Sequence, residues 1–129
     1  MIFVDTNYFL RFLLKDDNQQ HQKAKDLFLK GADGKAKLFT SLLVIFEVYW
    51  VLTSFYQKQK NEAIRVLAKV LSLDFIKIQD KELLKQALAL YQKTTLEFED
   101  CYNLLLAKKE KIQDFKTFDR KLKRYFSLS

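Results

Sequence analysis

Residues 1–14 read MIFVDTNYFLRFLL, and the break at Asp5-Thr6-Asn7 decides the class of fold. Ile2, Phe3 and Val4 are β-branched or aromatic, the composition of a short buried strand. Residues 6–14 then resume as a mainly apolar stretch suited to a short helix. Asp5 stands between the two elements, at the strand's end, where a carboxylate must be solvated or find a partner.

The same alternation runs outward along the chain. Residues 17–30 (DNQQHQKAKDLFLK) predict a polar-faced helix that stops at Gly31, and KAKLFT (35–40) a strand leading into a long helix over 41–56. A helix is predicted over 61–72, with Ala63, Ile64, Val66, Leu67, Val70 and Leu71 at helical spacing. LDFIKI (73–78) alternates as a strand. DKELLKQALALYQK (80–93) reads as a helix capped by Asp80. Residues 98–109 form another helix, QDFKTF (113–118) a strand, and 119–126 a terminal helix or turn. Strands separated by helices need crossover connections, hence a parallel sheet with helices on its faces. The expected fold is α/β: a three-layer α/β/α sandwich with a short central parallel sheet, built as a single domain over 1–129. In such folds the functional crevice lies at the carboxyl ends of the strands, where Asp5 and Asp119 both fall.

The bulk numbers agree. Hydrophobic residues make up 49% of the chain, with 12 Phe and 6 Tyr, which supports a large aromatic core. The absence of proline and the presence of only two glycines argue against an all-β chain of tight turns. Lysine and arginine outnumber the acids by 23 to 16, and the net charge of +7 favours a polyanionic partner. One cysteine excludes an internal disulfide and a cysteine-based zinc cage; one histidine excludes a multi-histidine metal site. No apolar run reaches the ~18 residues that span a bilayer, and the opening lacks a secretory pattern, so a cytoplasmic protein is expected.

Glu47 is the most informative acid. It lies inside LLVIFEVYWVL, flanked by five apolar residues on each side, and is expected to be buried. A buried carboxylate needs a basic partner or a metal. Asp100 opens the apolar helix of LEFEDCYNLLLA, where acids also favour the helix dipole, and Asp5 and Asp119 also suit helix caps. Taken together, four acids without histidine or thiolate make a hard-oxygen site for Mg²⁺ or Mn²⁺. Such an ion activates water and stabilises in-line displacement at phosphorus, and a basic exterior points to a phosphodiester substrate.

FVDTNYFLRFLL, TSLLVIFEVYWVL, EFEDCYNLLLA and TFDRKL, in this order and spacing, resemble PIN-domain ribonucleases, and the chain looks like a toxin-type member of the virulence-associated protein C group. The resemblance implies that Asp5, Glu47 and Asp100 ligate one or two Mg²⁺ or Mn²⁺ ions and that Asp119 supports them. It assigns Thr6 and Asn7, and less directly Ser41, to holding water or phosphate. It implies an RNA substrate, a cognate antitoxin protein and a homodimer formed through the helix pair over 41–72. Two departures stand out: Asp114 and Lys116 interrupt the last predicted strand, and Glu99 adjoins Asp100 but points about 100° away on a helix.

The terminal RKLKRYF offers Arg120, Lys121, Lys123 and Arg124 to RNA phosphates. His21 is expected on the surface with nothing nearby to complement it, Cys101 in the core, and Phe46, Tyr49 and Trp50 in the core as well. The reading that follows is a metal-dependent endoribonuclease. Its rivals are a catalytically weak PIN-fold module that binds RNA or protein, and a DNA structure-specific nuclease.

Overall fold

In a computed structural model describing residues 1–128, three short strands form the parallel sheet that the alternation predicts. They are β1 (Ile2–Phe3), β2 (Leu38–Thr40) and β3 (Ile76–Ile78), in the order β1-β2-β3. Ile2 and Phe3 align with Leu38 and Phe39, and Leu38 to Thr40 align with Ile76 to Ile78. Helices α1 (Thr6–Leu14) and α2 (Asn18–Ala32) connect β1 to β2; α3 (Leu42–Trp50), a π-helical turn (Val51–Phe55) and α4 (Lys60–Leu71) connect β2 to β3. The α/β class and the crossover connections are as expected. The chain divides into two compact units, Met1–Lys81 and the part from Glu82 onward.

In the first unit, one sheet face is buried through Val4, Leu38, Thr40, Ile76 and Ile78. The expectation of a buried first strand is corrected: Ile2 and Phe3 are both exposed, and only Val4 is covered. β1 is an edge strand, and Phe3 lies on the face shared with half-buried Phe39, their rings 6.0 Å apart. Helix α1 packs on α2 and α3. Phe28 of α2 gathers Phe9 at 5.6 Å, Phe12 at 4.9 Å and Phe75 at 6.0 Å between ring centres. Such tilted and edge-on aromatic arrangements add to area burial.

Gly31 does not stop α2, which continues to Ala32. Its role is close approach: a Cβ there would lie 2.6 Å from Leu38 Cδ1 and 3.0 Å from Phe75 Cδ2. The left-handed residue is Gly34, with φ of 77°. The single helix expected over 41–56 is instead α3 followed by the π-helical turn, closed by Tyr56 N–H on the Val51 carbonyl at 3.0 Å.

The second unit holds helix α5 (Lys81–Lys93) from Glu82 on, α6 (Phe98–Lys109) and α7 (Arg120–Ser127). Asp80, the expected cap of α5, takes a left-handed backbone with φ of 57°. Tyr91 and Phe98 meet at 6.0 Å. The strand expected over 113–118 does not form. Asp114 pairs with Lys116 at 2.7 Å in solvent, and Phe115 turns to Phe126 at 5.4 Å, so alternate residues serve local contacts instead of a ladder. No helix of the described residues is long and apolar enough to cross a membrane.

Candidate functional site

The first group of site residues collects at the carboxyl ends of β1 and β2. Asp5 is exposed and caps α1, its Oδ1 accepting the Thr6 backbone N–H at 2.8 Å. Its Oδ2 has no protein partner among the described residues. Thr6 is 3% exposed, and its hydroxyl finds no hydrogen-bond partner among the described residues. An orphaned buried hydroxyl costs free energy unless a water, ion or ligand oxygen satisfies it. Asn7 is exposed on the first turn of α1. Thr40, which sequence reasoning missed, donates its hydroxyl to the Val4 carbonyl at 2.7 Å and so fixes the backbone that carries Asp5. The available signal was a threonine ending an apolar strand just before a capping serine. That serine, Ser41, caps α3 by accepting the Val44 N–H at 3.2 Å.

Glu47 corrects an expectation. It is exposed, and so are Leu43 before it and Trp50 after it, at 70% and 59%. Spacings of four and three residues place all three on one side of α3, and that side faces water. Apolar neighbours in sequence do not cover the carboxylate in space. Trp50 is likewise not a core residue, Phe46 is half-buried, and Tyr49 is buried as expected.

The second group lies on α6 and α7. Asp100 is half-buried in the first turn of α6. Burial, then the charges of Asp119 and Glu97, raise its pKa above the usual carboxylate value. Glu97, at the N-cap of α6, is therefore a contributor to the field around Asp100. Asp119 is exposed and caps α7, its Oδ1 accepting Lys121 N–H at 2.9 Å and Leu122 N–H at 3.1 Å. Arg120, Lys121, Lys123 and Arg124 are exposed on α7, and the Lys121 ammonium donates to Thr95 Oγ1 at 2.5 Å.

Ion pairs in this basic chain engage Asp16, Glu62, Glu82 and Asp114. None of Asp5, Glu47, Asp100 and Asp119 joins an ion pair among the described residues. Nor are any three His, Cys, Asp or Glu side chains among the described residues gathered tightly enough to hold an ion. The donors nevertheless fit a hard divalent ion in kind: they are carboxylate oxygens, with the orphaned Thr6 hydroxyl beside Asp5 and an anionic field around Asp100 that a cation relieves.

Of the residues not assigned to the site, Cys101 is buried as expected. His21 is better complemented than expected: its ring stacks on Phe12 at 5.9 Å, and Nδ1 lies 3.1 Å from the Arg11 carbonyl.

The chain is 26% identical over 124 residues to a VapC ribonuclease of Aquifex aeolicus (strain VF5), across 96% of this chain and 91% of that protein. Among solved structures it is similar to VapC20 of Mycobacterium tuberculosis, a sarcin-ricin loop cleaving toxin. That match has 22% identity and a TM-score of 0.45, and covers 97% of this chain and 95% of the other. The PIN domain family profile matches residues 2–126, across both compact units, and the chain belongs to the PIN domain family.

Proposed function

We propose that this protein is a divalent-metal-dependent endoribonuclease that hydrolyses RNA phosphodiester bonds, and that it is the toxin of a type II toxin–antitoxin pair. One observation carries the reading. Asp100 is half-buried in the first turn of α6, burial and then the charges of Asp119 and Glu97 raise its pKa, and no basic side chain among the described residues pairs with it. A half-buried carboxylate that faces other acids and has no basic partner is stabilised by a divalent cation. The relative named as a VapC ribonuclease supports the RNA substrate.

In this reading Asp5, Glu47, Asp100 and Asp119 together hold Mg²⁺ or Mn²⁺, as one ion or two. When bound, the metal supplies Lewis acidity toward the phosphate and lowers the pKa of water near neutral pH. The remaining work belongs to the chain. The backbone N–H groups on Asp5 Oδ1 and Asp119 Oδ1 fix the orientation of both carboxylates and leave each Oδ2 for the ligand. A cation beside Asp100 offsets the burial and the charges of Asp119 and Glu97 that raise its pKa, and so favours its carboxylate form. The Thr6 hydroxyl orients a water or a phosphate oxygen, the Asn7 amide donates to phosphate, and Ser41 still has its O–H to donate. Arg120, Lys121, Lys123 and Arg124 hold the RNA backbone. The exposed Leu43, Trp50 and Phe55 give a homodimer its apolar contact, and residues 1–129 work as one catalytic domain in the cytoplasm.

Labelled RNA and DNA of matching sequence, each incubated with Mg²⁺, Mn²⁺ or EDTA, provide the test. The expected result is metal-dependent RNA cleavage that Asp5→Asn abolishes without loss of folding or RNA affinity, because asparagine also caps helices. Cleavage of DNA alone identifies a DNA nuclease instead. RNA binding with no metal-dependent cleavage in either form identifies a binding module.

A further inference from the structure

A cavity of about 270 Å³ lies on the first unit, lined by Asn7, Tyr8, Arg11, Gln20 and Lys23. Two residues of α1 one turn apart, Tyr8 and Arg11, share it with Gln20 and Lys23, one turn apart on α2. Its wall is fixed. Arg11 donates through Nη1 to Asp16 Oδ1 at 2.9 Å and Oδ2 at 3.1 Å, and through Nε to Gln20 Oε1 at 2.6 Å. Tyr56 donates its hydroxyl to Asp16 Oδ2 at 2.8 Å, which with Arg11 holds the Asp16 carboxyl below its usual pKa. The Arg11 charge is thus compensated by Asp16. The Lys23 ammonium is exposed and has no ion pair among the described residues. Tyr8 is 39% exposed, and neither its hydroxyl nor the Asn7 amide has a partner there.

We propose that this cavity is the subsite for the nucleotide adjoining the scissile phosphodiester of single-stranded RNA, with Lys23 on its phosphate and Tyr8 stacked on its base. The inference rests on the ribonuclease reading and adds how the substrate is held. Asn7 and Tyr8 follow Asp5 by two and three residues, which puts one end of the cavity lining within about one helical turn of that acid in the chain. Its volume is just under the range of about 300–1,000 Å³ typical of small-molecule pockets, which suits one nucleotide. An aromatic face, an amide and an uncompensated cation are the groups that grip an unpaired nucleotide by stacking, base-edge hydrogen bonding and phosphate contact. A peptide-binding groove needs apolar anchors, which this lining lacks.

The test uses the full chain in EDTA, where cleavage is stopped, with a short fluorescein-labelled single-stranded RNA of mixed sequence carrying iodouridine. Lys23→Ala is expected to weaken binding about tenfold and to lower the log–log salt slope by about 0.7. Tyr8→Ala is expected to weaken it about fivefold or more with the salt slope unchanged, while Tyr8→Phe binds as the native protein does. Irradiation is expected to crosslink the RNA to Tyr8. Lys69→Ala, a charge change on α4 away from the cavity, is the control and should cost less than about twofold. If the native protein cleaves RNA with Mg²⁺ while Lys23→Ala and Tyr8→Ala bind normally, the subsite is wrong and the ribonuclease reading survives. If the native protein neither binds nor cleaves RNA, both fall.

Discussion

Helices α3 and α6 each carry a candidate ligand, and they present it in opposite ways. Glu47 stands open to water on α3 between two exposed apolar side chains. Asp100 is half-buried at the start of α6, in a field made more negative by Asp119 and Glu97. A solvated carboxylate on a helix costs the fold almost nothing, whereas a half-buried one facing other acids costs stability whenever it is ionised. The electrostatic tension therefore lies on α6, and α3 carries an exposed carboxylate without strain.

The largest expected effect tests whether the two acids share a task. Glu47→Gln and Asp100→Asn should each lower metal-dependent RNA cleavage by at least about 100-fold, measured as kcat/KM on one labelled substrate. If one variant retains activity, that acid has no part in the centre.

Stability should separate them. The folded chain holds the Asp100 proton more tightly than the unfolded chain does, because its folded pKa is raised. Its contribution is therefore full below the ordinary aspartate range and is lost as pH rises through the raised folded value. Asp100→Asn should accordingly raise Tm at neutral pH by about 1–3 °C, with the difference vanishing in acid. Glu47→Gln, a change at an exposed side chain, should leave Tm at neutral pH unchanged within about 1 °C. Equal behaviour of the two variants would remove the contrast.

The smallest effect concerns the apolar flanks of Glu47. Trp50→Ser should change unfolding free energy by less than about 0.5 kcal/mol in urea titration, since Trp50 is 59% exposed. It should nonetheless shift sedimentation from dimer toward monomer if α3 forms the contact between copies.

Helices with a capping or acidic first turn followed by an uninterrupted run of helix-forming residues were legible from the sequence. The α6 bounds, Phe98–Lys109, coincide with the expected span, and α1 begins after its capping acid as expected. Features that depend on what lies alongside were not legible. The apolar character of Ile2 and Phe3 says nothing about whether a neighbour covers them, and both are exposed. Gly31 looked like a helix stop because glycine often serves as one, yet its position answers to Leu38 and Phe75, which are distant in sequence. Glu47 was misjudged for the same reason, since Leu43 and Trp50 surround it in the chain and leave it open in space. The four candidate acids could be picked out by residue type, order and spacing. The orphaned Thr6 hydroxyl, the Thr40 tie to Val4 and the Arg11–Asp16–Tyr56 cluster could not, because each depends on atoms brought together by folding.

The π-helical turn after Trp50 bears on how this chain can change length. A wide turn of this kind holds one residue more than an α-helical path between the same ends requires. Loss of a single residue between Val51 and Phe55 can therefore be absorbed by tightening to α-helix, with Glu47 upstream and undisturbed. Loss of a residue earlier, between Ser41 and Glu47, would swing the carboxylate about 100° around the axis. Deletions should thus be tolerated on one side of Trp50 and ruinous on the other.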